Sequence, residues 1–186
     1  MKALKEARER PGQTVLLFQD EASFYRRPSQ GWLWAWMGRR QPKMRYSHHA
    51  NTRTRLVGFL DALSGRVLSW DMARVTAERL ARCLHRIPAA FPEAQKIYLV
   101  WDNWPVHKHP TVQEALLKAP QIQTLPLPTY APWLNPIEKL WRLVRQEVAH
   151  AHPWCDDFTH FRAIVMEKLG EFTHDSQRLL QYCGLS

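Results

Sequence analysis

No apolar run in this chain of 186 residues approaches the ~20 residues that a membrane-spanning helix needs. The opening stretch, MKALKEARER, is charged throughout and has no apolar centre, so no secretory signal is expected. Only three cysteines occur, Cys83, Cys155 and Cys183, widely spaced and without a CxxC pair. That usage predicts free or buried thiols in a reducing compartment. Internal repeats, low-complexity tracts and linkers are also missing, which predicts one domain spanning 1–186. Most pointed is a local absence: Ala22 to Leu60 contains no acidic residue.

What fills that stretch is cationic: Arg26, Arg27, Arg39, Arg40, Lys43, Arg45, Arg53 and Arg55. Across the chain 26 Lys and Arg face 17 Asp and Glu, a formal net charge of +9. A one-signed stretch of this kind suits a phosphate backbone, because each neutralised phosphate releases counterions. A solvated loop is the plainer reading of the run taken alone. Trp32, Trp34 and Trp36 alternate within it, and period two predicts a strand with three indoles on one face. Core or dimer packing is the first expectation for those rings, stacking on unpaired bases the second. Hydrophobic residues at 45% and charged residues at 23% are the balance of a folded soluble domain.

Val15 to Phe18 is an apolar, β-leaning run ending in Gln19-Asp20, and predicts a buried strand. Arg55–Leu60 and Arg66–Trp70 flank Asp61-Ala-Leu-Ser-Gly65, a hairpin with glycine in the turn. From Thr76 to Ile87, Leu80, Cys83, Leu84 and Ile87 fall at helical spacing, with arginines on the opposite side. Ile97–Trp101 is a second apolar strand, running into Asp102. Thr111 and Glu114 predict a capping box for a helix that Pro120 stops. Ile122–Leu127 predicts a short strand. Asn135 and Asp157 open the next two helices, and Gly184 closes a last one. Strand, hairpin, helix, strand, helix, strand and then helices is an α/β order: a mixed sheet flanked by helices.

Asp20 and Asp102 each follow an apolar strand, at the carboxyl end where open α/β sheets present their ligands. Either one alone is no more than a strand ending in a turn-forming residue. A third acid, Glu138, sits in Asn135-Pro136-Ile137-Glu138, which reads as cap, first helical proline and capping glutamate. In that helix Ile137, Leu140, Trp141, Val144 and Val148 form the apolar stripe, while Glu138, Arg142 and Arg145 share an adjacent face. A surface Glu–Arg pairing is the modest account of that face, and a metal-binding carboxylate followed by phosphate-binding arginines the functional one. His150, His152, Cys155 and His160 match no common zinc spacing. Cys83 is expected in the core, and His48-His49 at the surface or facing a polyanion.

Asp20-Glu21 followed by Gly31, Trp34 and Gly38, then Asp102-Asn103-Trp104-Pro105-Val106-His107, then Tyr130-Ala-Pro-Trp-Leu-Asn-Pro-Ile-Glu138-Lys-Leu-Trp141, resembles the three blocks of the DDE transposases of the mariner superfamily. The bacterial insertion-sequence branch, the "six-thirty" group, is the nearest resemblance, running from about Val15 to Val148. Residues 103–137, thirty-five in all, separate Asp102 from Glu138, one more than that branch leads one to expect. The resemblance implies a ribonuclease H-like fold with the aspartates on neighbouring first and fourth strands. It implies Asp20, Asp102 and Glu138 as catalytic residues and metal ligands, and Asn103, His107 and Asn135 as a supporting layer. Glu21, on the opposite face of the strand, is not expected to be a ligand.

Carboxylate oxygens suit Mg²⁺ or Mn²⁺, two ions by the same resemblance, in a displacement at phosphorus with no covalent protein–DNA intermediate. Arg39, Arg40, Lys43, Arg45, Arg142 and Arg145 are the expected DNA contacts. The expected partners are element-end and target DNA, a second copy of the chain, and a DNA-binding helix-turn-helix half encoded upstream or separately; the chain contains no helix-turn-helix pair. Its expected location is the bacterial cytoplasm, at the nucleoid. The rival readings are an inactive or DNA-binding remnant and another nuclease of the same fold.

Overall fold

The computed structural model describes residues 2–29, 34, 36–38, 48–49, 51–129 and 131–186. Five strands form one mixed sheet: β1 (Thr14–Tyr25), β2 (Arg53–Asp61), β3 (Val67–Asp71), β4 (Lys96–Trp101) and β5 (Ile122–Pro126). Their spatial order is β3-β2-β1-β4-β5. β1 pairs antiparallel with β2 and parallel with β4, and β4 pairs parallel with β5. The helices are α1 (Lys2–Glu9), α2 (Ala77–Ala90), α3 (Pro110–Leu117), α4 (Ile137–Val144), α5 (Phe158–Gly170) and α6 (Gln177–Cys183).

The two faces of β1 divide the core. Leu16, Phe18, Ala22 and Phe24 pack in the layer with α4, α5 and α6, together with Ala3 and Ala7 of α1. Val15 and Leu17 pack in the layer with α2 and α3. Period-two alternation on a strand buried on both sides produces this division. Leu16, Leu17, Leu56 and Leu60 are fully buried, each contributing about 1.5–3 kcal/mol.

Several sequence expectations need correcting. β1 does not stop at Asp20: it runs five residues further, because β2 continues to pair with it as far as Tyr25 opposite Arg53. α1 was not foreseen in a segment so charged; only Ala3 and Ala7 are buried, and Glu6 ties it to Lys96 and Tyr98 of β4. The predicted capping box does not form. His109 accepts from the Thr111 amide, and Glu114 instead pairs with Lys118. Trp34 and Trp36 belong to no strand and are exposed, so neither is a core residue. Trp32, and with it the face shared by three indoles, lies outside the described residues. Among the described residues no helix is long and apolar enough to cross a membrane.

Candidate functional site

Parallel pairing of β1 with β4 ends at Phe18 opposite Val100. Carried two residues further, the same register sets Asp20 against Asp102, where β4 leaves the sheet while β1 continues along β2. The departure has a local cause. The Asp102 carboxylate accepts the Trp104 amide at 3.0 Å, an Asx turn, and Pro105 then opens a 3-10 turn. Two loop contacts build the far wall. The Leu127 amide donates to the Trp101 carbonyl at 2.8 Å, and Asn103 Nδ2 to the Leu127 carbonyl at 2.7 Å.

α4 closes the cleft from the other side. Asn135 was expected to cap this helix, but its side chain caps nothing. It reaches across, donating Nδ2 to the Gln19 carbonyl at 2.9 Å, and so pins the start of α4 to the strand carrying Asp20. The helix opens through backbone alone, the Glu138 amide donating to the Asn135 carbonyl at 3.1 Å. The result is a cavity of about 320 Å³ lined by Asp20, Asp102, Asn103, Asn135 and Glu138, among others. All three predicted acids therefore face one cleft.

Their environments differ. Asp102 is half exposed. Asp20 is pushed up to about 8, first by burial, then by the Glu138 and Glu21 carboxylates beside it. Opposing that rise, Trp141 of α4, fully buried, donates its indole N–H to Asp20 Oδ2 at 3.0 Å. Trp141 was foreseen only as part of an apolar stripe. The usable signal was that a buried indole N–H needs an acceptor. Gly58, opposite Asp20 in the β1–β2 register, leaves the space the indole occupies: a Cβ there would lie 2.6 Å from Trp141 Cη2.

His107 lies behind Asp102, buried and stacked on Trp101 at 4.1 Å. Its Nδ1 donates to the Asp102 carbonyl at 2.9 Å, and its Nε2 lies 3.9 Å from Glu21 Oε1. Glu21 also accepts from Gln19 Nε2 at 2.7 Å, so it belongs to the other face of β1 and does not line the cleft.

The predicted polyanion contacts are not gathered here. Arg39, Arg40, Lys43 and Arg45 lie outside the described residues. Arg142 is exposed, and Arg145 lies over Phe24 at 5.5 Å, lining a separate cavity with Arg27 and Asn51. α4 passes there into a π-helical turn, Arg145–Ala149. His48 and His49 are exposed and Cys83 is buried. Among the described residues no group of three or more His, Cys, Asp and Glu side chains stands ready to hold a metal ion. That covers His150, His152, Cys155 and His160, and it covers the three acids as they now stand.

Comparison with known proteins gives a consistent result. A family model described as DDE superfamily endonuclease matches residues 15–159. The Insertion element IS630 uncharacterized 39 kDa protein of Shigella sonnei is 28% identical over 137 residues, 74% of this chain and 39% of that protein. The chain thus spans well under half the length of that relative. The pre-cleavage Mos1 transpososome matches 97% of this chain and 55% of its own, with a TM-score of 0.68 at 15% identity. The catalytic domain of Mos1 mariner transposase matches 97% of this chain and 81% of its own, with a TM-score of 0.58 at 17% identity. At such identities the likeness concerns the fold, which is the expected ribonuclease H-like mixed sheet flanked by helices.

Proposed function

This chain belongs to the DDE superfamily of endonucleases, and from that membership we propose that it is the catalytic domain of a transposase that cuts DNA and joins the ends to a target. The observation that carries the reading is the convergence of Asp20, Asp102 and Glu138 on one cleft, from two parallel strands that part there and from a helix pinned across them. Of the solved structures similar to this chain, one is a Mos1 transposase paired-end complex with a left transposon end, and others are Mos1 paired-end complexes with Mg or Mn.

The donor set fits a hard divalent cation, Mg²⁺ or Mn²⁺, since it is all carboxylate oxygen. Burial and mutual repulsion hold Asp20 near 8, and a cation at the cleft would offset both. Asp20, Asp102 and Glu138 are the proposed catalytic residues and metal ligands. Two bound ions would supply the positive charge that stabilises the oxygens of a phosphoryl group under in-line attack.

The chain's own side chains orient that set. Trp141 holds Asp20 Oδ2, Asn135 fixes the helix bearing Glu138 to the strand bearing Asp20, and Asn103 fixes the wall beside Asp102. His107 holds the backbone carbonyl of Asp102. The attacking oxygen belongs to water or to a DNA 3′-hydroxyl, so no protein nucleophile is required.

Element-end and target DNA are the proposed substrates, with Arg39, Arg40, Lys43, Arg45, Arg142 and Arg145 as contacts. Two ends must be brought together, which calls for a homodimer. A DNA-binding half encoded upstream or separately recognises the ends, and the assembly works at the bacterial nucleoid. The test is nicking of supercoiled plasmid with Mg²⁺ or Mn²⁺. Metal-dependent nicking abolished by Asp102→Asn is expected; equal nicking by both proteins overturns the site.

A further inference from the structure

At the β3 edge of the sheet, arginines from two layers converge on the open edge strand. A depression of about 310 Å³ is lined by Trp70, Arg79, Arg82, Arg86 and Arg162, with Asp71 as its only acid. Arg79, Arg82 and Arg86 recur at i, i+3 and i+7 of α2, one face of that helix. Arg162 comes from α5, in the opposite layer, and reaches round the sheet edge.

Asp71 does not neutralise this group. It holds Arg162 through Nε at 2.8 Å and Nη2 at 2.7 Å, and it accepts from Thr54 and from the Ala73 amide. Arg79 is committed to the Met72 and Arg74 carbonyls, which fixes the loop after β3 but leaves its charge uncompensated. Arg82 and Arg86 are exposed, with no hydrogen bond or ion pair among the described residues. Glu78, one turn before Arg82 on α2, is a nearby acid; with Asp71 it leaves four arginines against two carboxylates, a net positive face that favours an anion. Arg79 and Arg86 are seven residues apart, a rise of about 10 Å. One small anion cannot touch both, whereas a duplex carries a phosphate charge for about every 1.7 Å of axis.

We propose that Arg82 and Arg86, flanked by Arg79, Arg162 and the half-buried Trp70, form an exosite for the phosphate backbone of duplex DNA, holding a segment other than the one in the cleft. It rests on the reading of the chain as DNA-processing and adds a surface that the motif residues do not include. Asp71 pairs with Leu56, and Leu56 with Ala22, so the exosite stands two strands, about 10 Å, to the side of β1 near Asp20.

The test is binding of the 186-residue chain to a 30-base-pair duplex in EDTA, by fluorescence anisotropy across a salt series. Arg82→Gln/Arg86→Gln is expected to lower the slope of log affinity against log salt by about 2 and to weaken binding on the order of tenfold per arginine at 0.1 M salt, uniformly across sequences. Arg82→Lys/Arg86→Lys should retain the slope. Lys5→Gln/Lys118→Gln, which removes the same charge from α1 and from beyond α3, should leave it close to wild type. Equal losses in the glutamine pair and this control would mean that net charge alone is responsible, and would overturn the exosite. An unchanged slope in the glutamine pair would overturn it as well, leaving the arginines as shielding for an open strand edge. The catalytic reading fails separately, in the nicking assay, which leaves the salt slope untouched.

Discussion

The indole N–H of Trp141 meets Asp20 Oδ2 at 3.0 Å from inside the core, so a residue of the hydrophobic layer holds a proposed metal ligand in place. Trp141→Phe keeps one aromatic ring but removes the donor together with part of the indole, leaving a small cavity. Metal-dependent nicking is expected to fall by roughly 10- to 100-fold, as for other residues that orient metal ligands. Wild-type nicking by a folded Trp141→Phe protein would show that the contact does not orient Asp20.

Gly58 is the counterpart of that contact. An added Cβ would meet Trp141 Cη2 at 2.6 Å, Trp141 Cζ2 at 2.7 Å and Ile137 Cδ1 at 3.1 Å. An indole cannot flex away as an aliphatic tip can, so Gly58→Ala should cost about 1–3 kcal/mol. The fall in melting temperature would be about 2–4 °C per kcal/mol, with nicking reduced as well. An unchanged melting temperature would mean that the indole has room to move.

Asp20 should make the metal-free protein lose stability as pH rises. Its folded value, about 8, lies above the ordinary carboxylate value of 3.8, so the folded state retains a proton that the unfolded state gives up. Stability from this group is complete below about pH 4 and is lost as pH climbs through 8. In EDTA, Asp20→Asn is expected to melt above wild type at pH 8, by on the order of 10 °C, and level with it at pH 4. A mutant that melts lower than wild type at pH 8 would reverse the sign and reject the buried-acid account.

Asn135→Ala removes the bond from α4 to Gln19 and leaves a buried carbonyl without its donor, at a cost of about 1–3 kcal/mol. Glu138 follows directly on that turn, so nicking should fall by more than the loss of folded protein explains. Thermal unfolding and nicking on the same sample separate the two effects.

Burial pushes the Cys83 thiol up to about 12 and the Cys183 thiol up to about 11, and Cys155 is fully buried. Ellman's reagent at pH 8 should leave the folded chain unlabelled and find three thiols after denaturation. Rapid stoichiometric labelling of native protein would place a thiol at the surface.

Much of this was legible in the residues. The apolar runs before Asp20 and Asp102 predict strands, and their adjacency is what parallel pairing requires. Gly65 in the hairpin, Asp157 at the start of α5 and Gly184 after α6 all sit where their chemistry predicts. What failed depends on long-range partners. Asn135 looks like a cap locally, but the Gln19 carbonyl, more than a hundred residues away, competes for its amide. The π-helical turn at 145–149, which departs from 3.6 residues per turn, also had no sign in the residues. The arginines of α2 were visible as a polar face, but nothing in the sequence says that Arg162 joins them around the edge of β3.

The parallel register between β1 and β4 also bears on how the chain is made. Phe18 must find Val100, and no local turn can bring them together, so this pairing has a high loop-closure cost and forms slowly. Until it forms, Asp20 and Asp102 are two unrelated carboxylates on a mobile polymer. A chain still emerging from the ribosome, or one clipped before α4, has no cleft in which Asp20, Asp102 and Glu138 could meet. The proposed activity would therefore be coupled to completed folding.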